Sequence, residues 1–144
     1  MSAAANESML KPQQPGIPTG GRSAAAAPYW DACREGRLVY QRCDDCGSIN
    51  MKPARSCAMC GSRSVSWAPS EGRGQLYSWT VVWRPQHPSF AVPYAPAIVR
   101  LDEGFYLMTA MIGCEPDDLR DGLPVAVEFH PANDEVTLPY FRPL

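Results

Sequence analysis

Two Cys-x-x-Cys-Gly units, Cys43-Asp44-Asp45-Cys46-Gly47 and Cys57-Ala58-Met59-Cys60-Gly61, hold the residues of this chain best suited to chemistry. Each offers two thiolates on a tight turn, and the glycine after the second cysteine permits the positive φ that turns backbone amides toward the sulfurs. Ten residues separate the pairs, enough for a hairpin to bring four sulfurs into one tetrahedron. Such a donor set suits zinc, with iron in a rubredoxin-like site as the alternative. Four thiolates leave zinc no open position, so the ion would be structural and would neither activate water nor polarise a carbonyl. Its contribution to folding is on the order of 10 kcal/mol, given to a segment too short to build a core alone. A tetrathiolate zinc is doubly negative, and Arg42, Lys52, Arg55 and Arg63 stand near enough in sequence to offset that charge.

Six cysteines also allow a disulfide framework. Residues 1–27 lack the apolar stretch of a secretory leader, and no run reaches the roughly 18 apolar residues of a membrane span. The chain therefore reads as cytoplasmic, where thiols stay reduced and paired Cys-x-x-Cys units bind metal. Cys33 and Cys114 then read as buried free cysteines acting as small hydrophobes.

The elements that must position the four thiols follow from composition and periodicity. Residues 1–27, rich in Ala, Ser, Pro, Gln and Gly without a period, read as a disordered tail. Pro28 suits the first turn of a helix and Gly36 its end, with Tyr29, Trp30 and Cys33 on roughly one face. Leu38, Tyr40 and Arg42 lead as a strand into the first knuckle, and Val65 and Trp67 leave the second. Helix and ribbon together make a unit over residues 28–70.

From Gly72 the pattern turns to strands. Leu76 to Trp83 alternates, with Tyr77, Trp79, Val81 and Trp83 on one face, and these aromatics read as core. Ala95 to Leu101 and Phe105 to Ile112 follow, joined by a hairpin at Asp102-Glu103-Gly104. After one helical turn over Pro116 to Leu119 come Val125 to Phe129 and Val136 to Phe141. Five short antiparallel strands with one interruption describe an OB-type barrel over residues 71–144. The fold class is mainly β: a short N-terminal helix and a rubredoxin-like zinc ribbon, then a five-stranded OB-fold barrel.

The Pro-rich loop Arg84 to Tyr94 reads as a contact loop, its prolines lowering the entropy lost on presenting side chains. It reads equally as a device that blocks edge pairing while Phe90 and Tyr94 cap the barrel. A zinc ribbon followed by an OB barrel also invites a nucleic-acid reading, with Tyr77, Trp79 and Trp83 as stacking platforms. Charge opposes it: residues 101–144 carry nine Asp and Glu against two Arg, and the whole chain has a net charge of −2. Two histidines, His87 and His130, stand in no catalytic motif, and no phosphate loop or nucleophile elbow is present. The chain reads as non-catalytic and suited to docking on a larger protein.

The run Tyr29-Trp30, Gly36-Arg37-Leu38, Gln41-Arg42-Cys43 with Cys46-Gly47, Cys57 and Cys60-Gly61 resembles the proteins grouped as domain of unknown function thirty-five. The barrel half is similar too, through Gly72, Gly74, Tyr77 to Val82, Leu101 to Gly104, Gly122 to Val125 and Leu138 to Pro143. The resemblance implies an accessory subunit of a thiolase-like acyl-CoA enzyme, either a thiolase or a retro-aldolase of steroid side-chain or other acyl-CoA degradation. By that analogy the partner holds the catalytic groups, the helix and ribbon dock, and a CoA thioester is the ligand of the complex. Trp83, Phe90 and Tyr94 would then wall the acyl-CoA channel, and Arg84, with Arg55 or Arg63, would meet the CoA phosphates.

Overall fold

The computed structural model describes residues 7–144. Helix α1 (Ala27–Arg34) has Pro28 in its first turn, as the sequence predicts, and buries Ala32 and Cys33. Burial pushes the Cys33 and Cys114 thiols up to about 11, so both stay protonated at neutral pH. Strands β1 (Val39–Cys43), β2 (Ile49–Asn50) and β3 (Val65–Pro69) form an antiparallel sheet in the order β2-β1-β3.

The second half is a closed barrel. Its strands are β4 (Arg73–Trp79), β5 (Ala95–Leu101), β6 (Tyr106–Met111), β7 (Pro124–Pro131) and β8 (Thr137–Pro143), in the order β4-β5-β6-β8-β7 with β7 returning to β4. All pairings are antiparallel except β6 with β8, which meet in parallel at Met111 and Phe141. A 3-10 turn, Pro116–Asp118, fills the interruption before β7, and Glu115 and Asp118 cap it reciprocally.

Ribbon and barrel share one core. Leu38 is buried with Leu76, Val99, Leu101, Val125 and Phe141, and Tyr40 stacks on Phe105 at 4.9 Å. The Glu103 carboxylate adds a polar tie, accepting from the Ser70 hydroxyl and the Glu71 amide at 2.8 Å each.

Two expectations are corrected. Between Leu76 and Ser78 the β4–β5 register shifts by a bulge, which breaks the strict alternation read from Leu76 to Trp83. Leu76 stays inside at 1% exposure, whereas Tyr77, Trp79 and Trp83 are 56%, 36% and 61% exposed and are not core.

The tail expected over 1–27 packs against the barrel in its described part, residues 7–27; residues 1–6 lie outside the described residues. Leu10 is fully buried and pairs with Cys114, donating its N–H to the Cys114 carbonyl at 3.1 Å. The Gln13 amide group both donates to and accepts from the Ala91 backbone, at 2.9 and 2.8 Å. Composition alone concealed this, because Leu10 and Ile17 are isolated apolar anchors with no period. Leu10→Ala is expected to lower the unfolding free energy by about 2–5 kcal/mol in a denaturant titration. A value within about 0.5 kcal/mol of the parent chain would place the segment outside the cooperative fold.

Candidate functional site

The β1 strand delivers Cys43 into the first knuckle, and the return to β3 carries Cys57 and Cys60. Gly47 and Gly61, at φ 75° and 76°, occupy the left-handed region that the knuckle turn demands. All four sulfurs lie within 4.8 Å of one another, with Cys43 to Cys60 and Cys46 to Cys57 at 3.6 Å. A zinc tetrahedron with Zn–S bonds of about 2.3 Å requires sulfur separations of about 3.8 Å, so the arrangement fits a tetrathiolate ion. Backbone amides already turn toward the sulfurs: Cys46 N–H to Cys43 Sγ at 3.5 Å and Met59 N–H to Cys57 Sγ at 3.3 Å.

Proton sharing among four crowded thiols pulls them apart. Hydrogen bonds from Ser48 bring the Cys46 thiol down to about 6. Ser62 favours the Cys60 thiolate in the same way, but the neighbouring Cys43, Cys46 and Cys57 sulfurs outweigh it and push Cys60 up to about 12. A cation held by Cys43, Cys46, Cys57 and Cys60 would relieve that conflict by stabilising every thiolate together. Arg42 lies over the first knuckle, its Nη2 3.6 Å from where a Gly47 side chain would begin, in keeping with charge compensation.

Two apolar cavities share Tyr29, Trp30 and Met108 in their walls. The larger, about 560 Å³, lies between ribbon and barrel and is lined by Tyr40, Trp67, Ile98 and Met51 among others. The smaller, about 290 Å³, lies under the Pro-rich loop and is lined by Phe90, Tyr94 and Tyr140. Each wall includes one cation, Lys52 or Lys11, and no acidic residue.

The four residues put forward for ligand contact divide here. Phe90 and Tyr94 stack at 5.6 Å and line the smaller cavity. Trp83 and Arg84 are exposed just beyond the Val82–Tyr94 bridge that closes the loop, and line neither cavity. Arg55 and Arg63 are exposed on the ribbon. His87 bonds Ser89 at 2.7 Å within the exposed loop, and His130 is buried 3.3 Å from Glu128.

Sequence reasoning missed Met108, 77% exposed at the junction of both cavities. The run Phe105 to Ile112 is apolar at almost every position, so its alternation does not separate an inner from an outer face.

A four-cysteine ribbon joined through a shared core to a closed five-stranded barrel defines a zinc-ribbon OB-fold protein. Family models agree: the rubredoxin-like zinc ribbon domain of ChsH2 matches residues 30–66, and the C-terminal OB-fold domain of ChsH2 matches residues 67–130. The chain belongs to the DUF35 family. It is 30% identical over 109 residues to a DUF35 domain-containing scaffold protein of Pyrococcus furiosus, covering 73% of this chain and 78% of that one. It is 40% identical over 115 residues, 80% of this chain, to a "Probable enoyl-CoA hydratase alpha subunit" of Thermomonospora curvata. It is 30% identical over 112 residues, 78% of this chain, to the 3-oxo-4,17-pregnadiene-20-carboxyl-CoA hydratase alpha subunit of Mycobacterium tuberculosis. These matches span 36% and 35% of the two hydratase subunits, about a third of their length. Among solved structures, a chain of the Ltp2-ChsH2(DUF35) aldolase superposes with a TM-score of 0.80 at 38% identity, covering 87% of this chain and 98% of that one.

Among the described residues no helix is long and apolar enough to cross a membrane.

Proposed function

We propose that this chain is a non-catalytic accessory subunit that docks on a thiolase-like acyl-CoA enzyme, a retro-aldolase by preference, and walls part of its acyl-CoA channel. The observation that carries this reading is the exposed apolar face: Met108, Met51, Tyr77 and Trp83 are 77%, 60%, 56% and 61% exposed. Exposed apolar side chains of this size, two of which, Met108 and Met51, stand in the walls of apolar cavities, are the signature of a surface that a partner covers. The likeness to a chain of an aldolase complex supports the class of partner. The hydratase relatives, matched over a third of their length, support acyl-CoA as the substrate class and a steroid side chain as one candidate acyl group.

In this reading the ribbon unit, residues 28–70, and the barrel, residues 71–144, act as one rigid body. Phe90 and Tyr94 wall the pantetheine arm, and Arg84 with Trp83 projects from the loop toward the partner and the CoA phosphates. Carbon–carbon cleavage β to a thioester develops charge on an enolate oxygen, and the donors for that charge come from the partner. The four-thiolate site restricts the protein to a reducing compartment such as the cytoplasm.

Tyr77, Trp79 and Trp83, being exposed, also keep a nucleic-acid reading in play, but binding a polyanion requires a basic groove and the barrel half is acidic. Native mass spectrometry of the tagged chain purified from its own host separates the two. The expected spectrum shows one zinc per chain and a thiolase-fold companion identified by its peptides. Nucleic acid in place of that companion, or the zinc-loaded chain alone, overturns the docking reading.

A further inference from the structure

Gln41 and Asn50 are the buried polar side chains of the ribbon, 4% and 8% exposed, on positions that face each other across β1 and β2. Gln41 Nε2 donates to the Ala54 carbonyl at 2.8 Å, while Gln41 Oε1 accepts from the Ala54 N–H at 3.1 Å and from Asn50 Nδ2 at 2.7 Å. Asn50 Nδ2 also donates to the Ser56 carbonyl at 3.2 Å, and Asn50 Oδ1 accepts from the Ala58 N–H at 3.0 Å.

Ala58 is the first residue inside the second Cys-x-x-Cys unit. In the first unit the matching amide, that of Asp44, donates to the backbone carbonyl of Ser64 at 2.8 Å. A side chain therefore does in one knuckle what the main chain does in the other. The same side chain reaches, through Gln41, the segment that carries Met51, Lys52 and Pro53 into the wall of the larger cavity, a wall that Gln41 and Asn50 themselves also line. Residues 51–56 belong to no strand, so these amide bonds fix their course.

We infer that Gln41 and Asn50 are a positioning pair that ties the metal affinity of the second knuckle to the shape of the cavity wall, making the two one linked property. An ion held by Cys57 and Cys60 fixes Ala58, Ala58 orients Asn50, and Asn50 with Gln41 fixes the wall at Ala54. Linkage makes the dependence mutual: whatever pins the wall also tightens the hold on the ion. The inference does not depend on the docking reading, because it concerns bonds within the free chain.

The test uses the full chain, with zinc affinity measured against a chromogenic chelator and amide hydrogen exchange followed at Ala54 and Ala58. Gln41→Met keeps the volume but makes none of these bonds, and Gln41 hydrogen-bonds to no residue of either Cys-x-x-Cys unit. Zinc affinity is expected to fall about 5-fold or more, the size of a coupling between linked sites, and both amides to exchange faster. Asn50→Asp keeps the acceptor for the Ala58 N–H while losing the donor to Gln41 and Ser56. It is expected to weaken zinc binding similarly, and it carries the test if Gln41→Met does not fold. Zinc affinity within twofold of the parent chain in either folded variant, or faster exchange confined to Ala54, overturns the inference.

Discussion

Cys57→Ser is expected to lose zinc altogether and to lower the melting temperature by more than about 10 °C, because the ion is worth a sum comparable to the whole stability of a domain. A structural tetrathiolate zinc contributes on the order of 10 kcal/mol, against total stabilities of about 5–15 kcal/mol. The ribbon has little to fall back on: β2 is two residues long, and its sheet has three strands. The damage does not stop at the arm, since Leu38, Tyr40 and Ile49 pack into the same core as the barrel. A chelator added to the parent chain should reproduce the effect. Cys114→Ser is the control, because that thiol lies outside the cluster and its variant keeps one zinc per chain. Metal analysis and calorimetry decide the matter, and a Cys57→Ser protein with a full zinc complement and the parent melting temperature would refute the structural role.

The second large effect belongs to Met108→Glu. Its side chain is 77% exposed at the junction of the two cavities, so the free chain should fold and melt as before. In a complex that covers this face the new carboxylate would be buried without a partner, which costs about 3 kcal/mol or more and weakens association about 100-fold. Leu144→Glu, at a site 70% exposed at the chain end, is the comparison and should change little. Titration of each variant against the co-purified thiolase-fold subunit reads the difference; equal affinities would move the docking face elsewhere.

Much of the barrel was legible because short-range rules and the final topology agree. Ala95 to Leu101 is a strand with the bounds its sequence predicts, and the Asp102-Glu103-Gly104 hairpin closes with the Gly104 N–H donating to the Leu101 carbonyl at 2.9 Å. The four metal ligands were legible from spacing and glycine placement alone. What escaped depends on contacts between distant residues. Alternation separates Leu76 from Tyr77 and Trp79 without saying which face is the core, and in the barrel Leu76 takes the inside and the aromatics the surface. Leu10 is buried because Cys114 and its neighbours wait for it, and nothing in the first 27 residues states that. The wall of the larger cavity draws on helix, ribbon and barrel together, and so has no contiguous signature.

The N-terminal segment also sets an order of events during synthesis. The Gln13 N–H finds the Tyr140 hydroxyl 127 residues further along, and Leu10 finds its seat beside Cys114. The ribbon, with all four of its thiols between Cys43 and Cys60, can capture metal while β8 is still being made. The segment around Leu10 and Gln13 leaves the ribosome before the ribbon and the barrel, yet Gln13 completes its contacts only after β8 is made. Its attachment at Gln13 thus reports that β8 has arrived, and a nascent chain halted before Tyr140 would leave the Gln13 N–H without that partner, a state for a chaperone or a protease to read.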